Sequence, residues 1–138
     1  MTELIDFLQS ELLLTGTLFA LIVIFIANTY GDKLKKYQVV DTNGAISLMD
    51  DDDLIILDVR EDKERSSGFI KTDTHIPMAQ VKGKLDSLDK SKKILTYCKN
   101  GMRANRIADL LCKNQFENVY SLKGGFNAWQ KQGLPIKK

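Results

Sequence analysis

Residues 94–103 read ILTYCKNGMR and carry the strongest structural signal in this chain of 138 residues. The stretch opens with a short apolar run that is typical of a strand buried inside a sheet. It continues into a loop containing Gly101, after which residues 103–115 place apolar side chains at helical spacing. A further apolar run follows at residues 118–122. Strand, helix and strand in about 30 residues indicate a βαβ unit with two parallel strands.

Two regions before and after this unit extend it into a complete domain. Residues 54–59 (LIILDV) form another continuous apolar run and predict a third strand of the same sheet. Helical segments are predicted over residues 42–49 and 126–131, one on each side of the strand-rich region. The pattern is that of an α/β domain with a central parallel sheet, over residues 38–138.

The amino-terminal segment has a different composition. Residues 12–31 carry no charge, and a 20-residue helix is about 30 Å long, the thickness of the hydrocarbon core of a bilayer. We therefore expect residues 1–31 to be a transmembrane anchor, joined by a basic linker at 32–37 to the domain at 38–138. A buried soluble helix is disfavoured because the domain is too small to cover it. A cleaved signal peptide is disfavoured by the acidic start and the lack of a small-residue cleavage site.

The charges that flank this span predict its orientation. Lys33, Lys35 and Lys36 follow it, whereas no basic residue precedes it. Basic flanks stay in the cytoplasm, so we expect a single-pass protein of the inner (cytoplasmic) membrane with its carboxy-terminal domain in the cytoplasm. Gly16 and Ala20 form a small-xxx-small pair that could join two helices, although a lone anchor is the favoured interpretation.

Composition excludes several classes of function. Twenty basic residues against 18 acidic ones give a net charge of +2, too little to indicate nucleic-acid binding. Two cysteines, Cys98 and Cys112, cannot form a disulfide-dense scaffold or a four-cysteine zinc site, and His75 is the only histidine. Four consecutive aspartates at 50–53 predict a solvated turn, because no glycine-containing calcium loop surrounds them. Neither a metal nor a cofactor is expected.

Cys98 is the predicted nucleophile, because sites in parallel α/β sheets form beyond the carboxyl ends of strands. Gly101 lets the loop turn tightly, and the next helix directs its free N–H groups towards it. Together with Lys99 and Arg103, these groups favour a thiolate and an anionic ligand. Cys112 is expected mid-helix, where it would act as a small buried hydrophobe.

Four segments, in order along the chain, resemble signatures of the rhodanese domain, the domain of the single-domain sulfurtransferases. The resemblance covers about residues 38–138 and implies a three-layer α/β domain with a central parallel sheet. With its anchor, the chain is similar to small inner-membrane rhodaneses of bacteria. The four segments are 57–61 (LDVRE), 68–77 (GFIKTDTHIP), 97–103 (YCKNGMR) and 122–126 (LKGGF), with Trp129 and Pro135 beyond them.

The resemblance implies a sulfurtransferase in which Cys98 takes sulfane sulfur, for example from thiosulfate, and passes it to a thiol. Ala104 stands where the family often has Ser or Thr, which removes a hydroxyl from the loop. Asp58 and Arg60 are expected to brace the site as an ion pair, and His75 to be structural. The implied substrate-binding residues are Lys99, Asn100, Gly101, Met102 and Arg103.

Two other functions remain open. A cysteine phosphatase loop resembles Cys-x5-Arg, but the spacing here is Cys-x4-Arg, a smaller cradle that suits sulfur better than phosphate. The stronger alternative is a membrane-tethered rhodanese module without turnover, which carries sulfur or docks another membrane protein. An intact Cys98 loop favours chemistry.

Overall fold

A computed structural model describes residues 1–30 and 36–138. The chain divides into two compact units, Met1–Lys35 and Lys36–Lys138. The first four residues of the linker predicted at 32–37 lie outside the described residues. The described elements are α1 (Thr2–Tyr30), β1 (Gln38–Val40), α2 (Thr42–Met49), β2 (Leu54–Asp58), α3 (Asp62–Arg65), β3 (Thr74–His75), α4 (Met78–Val81), a 3₁₀ helix (Lys82–Ser87), β4 (Lys93–Tyr97), α5 (Met102–Lys113), β5 (Val119–Leu122) and α6 (Gly125–Lys131).

Helix α1 is longer than the predicted span, because the acidic start is helical as well. Its 29 residues correspond to a length of about 43 Å. Its most apolar 18-residue window has a mean hydropathy of 2.2, and none of that window is buried. α1 is therefore a candidate membrane span by length and composition. Of the three lysines that predict its orientation, Lys33 and Lys35 lie outside the described residues.

The domain is built on a five-stranded sheet in the order β1-β5-β4-β2-β3, and every pair of neighbouring strands is parallel. The three strands predicted from apolar runs, β2, β4 and β5, form its centre. In the register, Leu57 lies beside Thr96, which in turn lies beside Ser121. The predicted α/β fold with a central parallel sheet is thus confirmed. The two edge strands are only two and three residues long and were not predicted.

Alternation along β4 divides the core into two halves, one on each face of the sheet. Ile94 and Cys98 join the half covered by α4 and α5, whereas Leu95 and Tyr97 join the half covered by α2 and α6. Helices thus cover both faces of the sheet. Because β4 ends at Tyr97 and α5 starts at Met102, Cys98 lies on the short connection between a central strand and a covering helix.

Candidate active site

The Cys98 sulfur lies at the carboxyl end of β4, and the residue has no exposed surface. Two backbone N–H groups donate to Sγ, from Gly101 at 3.1 Å and from Ala104 at 3.3 Å. Both come from the start of α5, where N–H groups lack partners within the helix. An acceptor with two donors aimed at it suits a sulfur that carries negative charge.

The loop has this shape because Gly101 adopts a left-handed conformation, with a φ of 99°. A side chain there would be strained, and its Cβ would lie 3.4 Å from the carbonyl oxygen of Leu122. Asn100 closes the turn, since its Oδ1 accepts a hydrogen bond from the N–H of Met102 at 3.1 Å. Sequence and structure therefore agree that the glycine shapes the loop around Cys98.

The start of α6 holds the other side of the loop, a contact that the sequence pattern does not predict. The N–H of Phe126 donates to the carbonyl oxygen of Cys98 at 2.7 Å, and that of Asn127 donates to the carbonyl oxygen of Lys99 at 3.0 Å. Gly125 makes this approach possible: with a φ of 60°, a Cβ there would lie 2.7 Å from the Lys99 oxygen. The Gly-Gly pair in residues 122–126 was the available signal.

Arg103 lies next to the loop, but its guanidinium is already engaged. It forms two parallel hydrogen bonds of 2.7 Å with the carboxylate of Glu64 in α3. These bonds, opposed by partial burial, lower the pKa of Glu64 to about 2. Glu64 was not among the predicted site residues. The available signal was the capping box at the start of α3, in which Glu64 also accepts from the N–H of Glu61.

A buried polar cluster supports the site from the α2–α6 side. The expected ion pair is present: Arg60 Nη2 lies 3.0 Å from Asp58 Oδ2, and both side chains are almost fully buried. The Arg60 guanidinium also lies 4.2 Å from the ring centre of Phe126, the residue that binds the Cys98 carbonyl. Burial alone would raise the pKa of Asp58, but its bonds to Arg60 and Arg65 outweigh burial and lower it. The cluster thus fixes the position of Phe126.

His75 belongs to this supporting structure, as expected. Its Nε2 lies 2.7 Å from the carbonyl oxygen of Arg60, and its Nδ1 lies 3.5 Å from the carboxylate of Asp62. Tyr97 completes the cluster, since its hydroxyl donates to Asp58 at 3.1 Å and also contacts Asp73. Burial and the charge of Asp58 raise the pKa of Tyr97 above its ordinary value.

The exposed side of the loop is basic. Lys99, Asn100 and Met102 are solvent-exposed, and together with Arg103 and Arg106 they line a cavity of about 240 Å³. A second cavity, of about 200 Å³, lies on the other side of Lys99 and is bounded by Arg60, Glu64, Ser67, Phe126, Asn127 and Gln130. Of the five predicted substrate-binding residues, Gly101 donates to Cys98 Sγ and the other four line the first cavity.

Cys112 lies in different surroundings. It is in the last turn of α5 rather than mid-helix, because the helix ends at Lys113. The side chain is partly buried and packs against the core, so the expectation of a small buried hydrophobe is met only in part. Burial and the nearby carboxylate of Asp109 raise the pKa of Cys112.

Among the aspartates at 50–53, Asp51 forms an ion pair of 2.6 Å with Lys93.

The chain is similar to known proteins in sequence and in fold. A model of the Rhodanese-like domain matches residues 41–132. The chain is 32% identical over 94 residues to the thiosulfate sulfurtransferase GlpE of Coxiella burnetii, covering 68% of this chain and 88% of the relative. It is 29% identical over 89 residues to a sulfurtransferase of Allochromatium vinosum, covering 64% and 83%. The crystal structure of a rhodanese-related protein from Thermoplasma volcanium has the same fold, with a TM-score of 0.68, 24% identity and coverage of 73% and 98%. The chain belongs to the rhodanese-like domain family and has sulfurtransferases among its homologues.

Proposed function

We propose that the protein is a membrane-anchored sulfurtransferase that carries sulfur on Cys98 as a persulfide. One observation carries the proposal: Cys98 Sγ accepts two backbone N–H groups at the end of a central strand, in a loop that resembles the rhodanese active site. The sulfurtransferase homologues support the same reaction class.

In the first half-reaction, the Cys98 thiolate attacks the sulfane sulfur of thiosulfate. A bond forms between Sγ and that sulfur, while the bond to the sulfonate group breaks and its electron pair leaves with sulfite. The negative charge moves from Sγ to the outer sulfur of the persulfide. The N–H groups of Gly101 and Ala104, which donate to Sγ, and the cations Lys99 and Arg103 stabilise the anions on both sides of the step. Thiol exchange of this kind needs no general base.

In the second half-reaction, a thiolate acceptor attacks the outer sulfur, and the electron pair of the broken S–S bond returns to Cys98 Sγ. The acceptor leaves as a persulfide, and the enzyme thiolate is restored. Arg103 is a binding residue in this scheme, although its guanidinium is shared with Glu64. An anionic donor is therefore recognised by a side chain whose position Glu64 fixes.

The test is mass spectrometry of the full-length chain after exposure to thiosulfate. A gain of one sulfur atom, about 32 Da, on the peptide that contains Cys98 is the expected result. Thiocyanate production from cyanide measures turnover in the same sample. Persulfide formation without turnover would assign the sulfur-carrier function instead, and no sulfur on Cys98 would contradict both.

The proposal places α1 in the inner membrane, with the domain on the cytoplasmic side. It rests on the apolar composition of α1 and on the lysines that follow it in the sequence. Protease added to intact spheroplasts should leave the domain undigested, whereas permeabilised cells should lose it. Digestion in intact spheroplasts would reverse the orientation, and release of the chain by an alkaline carbonate wash would contradict the anchor.

A further inference from the structure

The surface next to the Cys98 loop combines free positive charge with an exposed apolar side chain. Lys99, Met102 and Arg106 form this surface, which we call the basic rim. Within residues 36–138, Met102 is the most exposed large apolar side chain, at 63%. Neither Lys99 nor Arg106 has an ion-pair partner among the described residues, and both are exposed.

A small donor does not account for this surface. The N–H groups of Gly101 and Ala104 already donate to the reacting sulfur, and the guanidinium of Arg103 is paired with Glu64. Arg106 lies nearly one turn further along α5, beyond the N–H groups that bind Sγ. A donor as small as thiosulfate that reaches Cys98 has no need of Arg106 or of an exposed methionine. The basic rim therefore fits a larger molecule.

We propose that the basic rim docks the sulfur acceptor, an acidic protein segment that carries the accepting cysteine next to an apolar residue. This inference rests on the proposed function. Because Cys98 is fully buried, the accepting thiol must enter on a narrow, extended segment. Carboxylates flanking that thiol pair with Lys99 and Arg106, and the neighbouring apolar side chain packs on Met102, whose thioether adapts to varied partners.

The step at this site is sulfur transfer without net oxidation. The thiolate of the docked segment attacks the outer sulfur of the Cys98 persulfide and forms a new S–S bond. The bond between that sulfur and Cys98 Sγ breaks, and its electron pair stays on Sγ as the thiolate. Solvent protonates the outer sulfur of the Cys98 persulfide before the attack, and that proton stays on the transferred sulfur, so the segment leaves as a protonated persulfide.

The experiment uses the full chain in phosphatidylcholine nanodiscs, with Cys98 loaded from thiosulfate. Three synthetic peptides serve as acceptors, each with one cysteine and one leucine, flanked by aspartates, serines or lysines. Each transfer rate is divided by the rate of the same peptide with a small disulfide reagent, which removes differences in thiol reactivity. We expect the aspartate peptide to react about tenfold faster than the serine peptide at low salt, and this advantage to fall steeply at about 0.5 M salt.

Two charge reversals test the position of the surface. Arg106→Glu should remove the advantage of the aspartate peptide and favour the lysine peptide. Lys71→Glu is the matched control, because Lys71 is exposed and lines a different cavity with Trp129 and Leu134. Transfer to 2-mercaptoethanol, which is too small to reach the basic rim while it reacts, should stay within about twofold of the wild type in both variants.

The outcomes separate this inference from the proposed function. If 2-mercaptoethanol takes the sulfur but the three peptides react equally, the docking inference is wrong and the sulfurtransferase stands. If no thiol takes the sulfur, both fail. If the peptides react equally and phosphatidylglycerol nanodiscs slow transfer in the wild type but not in Arg106→Glu, the basic rim binds anionic lipid, and the acidic protein acceptor is wrong.

Discussion

Helix α5 has a cysteine near each of its ends, and the two thiols lie in opposite surroundings. Cys98 precedes the helix by a short loop, is fully buried and accepts two N–H groups from the first turn. Cys112 is in the last turn, is partly exposed and lies near the carboxylate of Asp109. The positive end of the helix dipole faces one sulfur, and the negative end faces the other.

Exposure and hydrogen-bond donors thus differ in opposite directions between the two cysteines. The more accessible thiol is the one in which burial and a carboxylate raise the pKa. The fully covered thiol is the one provided with hydrogen-bond donors. We infer that the start of α5 is built to hold negative charge on sulfur and the end of α5 is not.

Replacing each of the two cysteines by serine, one at a time, should give the largest effect on sulfur transfer. Cys98→Ser should abolish both persulfide formation and thiocyanate production, because the serine hydroxyl cannot take sulfane sulfur. Cys112→Ser should retain nearly full activity, since Cys112 lies in the last turn of α5, where burial and Asp109 raise the pKa of its thiol. The measurement is mass spectrometry together with the cyanide assay. Sulfur transfer that survives in Cys98→Ser would contradict the assignment of the nucleophile.

The second prediction concerns the support of the Cys98 loop by α6. Gly125→Ala places a methyl group against the carbonyl groups of Cys98 and Lys99, at a φ of 60°. We expect a loss of about 2–4 kcal/mol in the free energy of unfolding and at least about a tenfold loss of sulfur acceptance.

Gly133→Ala is the matched control, because Gly133 also has a positive φ, 68°, but nothing lies within 4 Å of its Cβ position. It should cost only about 1–2 kcal/mol and leave sulfur acceptance unchanged. Chemical denaturation and the thiosulfate assay measure both quantities. Equal losses of activity in the two variants would show that backbone strain, rather than contact with the Cys98 loop, causes the defect.

The third prediction is a pH dependence at the positive end of α5. The hydrogen bonds from Arg103 lower the pKa of Glu64 to about 2 in the folded state, against about 4.3 for an unperturbed glutamate. The stabilisation is therefore complete above about pH 4.3 and is lost as the pH falls towards 2. Since both side chains are more than a quarter exposed, we expect a contribution of about 1 kcal/mol.

Denaturation of the wild type and Glu64→Gln across pH 2–6 measures this contribution. The stability difference between the two proteins should shrink as the pH falls, because Glu64 becomes protonated in the wild type. Glu117→Gln is the control, since Glu117 is exposed and forms no ion pair among the described residues. A constant difference across the range would mean that the ion pair with Arg103 does not stabilise the fold.

The strands that could be predicted from the sequence are those whose own residues form a continuous apolar run. Strands β2, β4 and β5 are continuous apolar runs, so their burial is visible without the fold. β1 and β3 are three and two residues long and exist only because they pair with β5 and β2. Helix α3 has four residues, too few to show an apolar period.

The same contrast between local sequence signals and long-range contacts applies to the candidate site. The loop from Cys98 to Arg103 is contiguous, and its glycine and cations are visible in the sequence. The bond between Arg103 and Glu64 joins residues 39 positions apart, and Gly125 reaches the loop only because α6 packs against it. Such contacts depend on how the strands are ordered in the sheet, which local patterns do not specify.

The smallest effect is expected at the negative end of α5, where Asp109 contributes to the raised pKa of Cys112. In a Cys98→Ser background, Asp109→Asn removes that carboxylate and leaves the ammonium group of Lys113 without its partner at 2.8 Å. Both changes favour the thiolate, but burial remains the larger cause of the raised pKa. We therefore expect iodoacetamide to label Cys112 about two to three times faster at pH 8, which corresponds to a shift of less than half a pKa unit. Glu117→Gln, which removes an exposed carboxylate five residues after Cys112, should leave the rate of Cys112 labelling unchanged. An increase of tenfold or more would mean that the carboxylate outweighs burial, and the contrast between the two ends of α5 would then depend on a single residue.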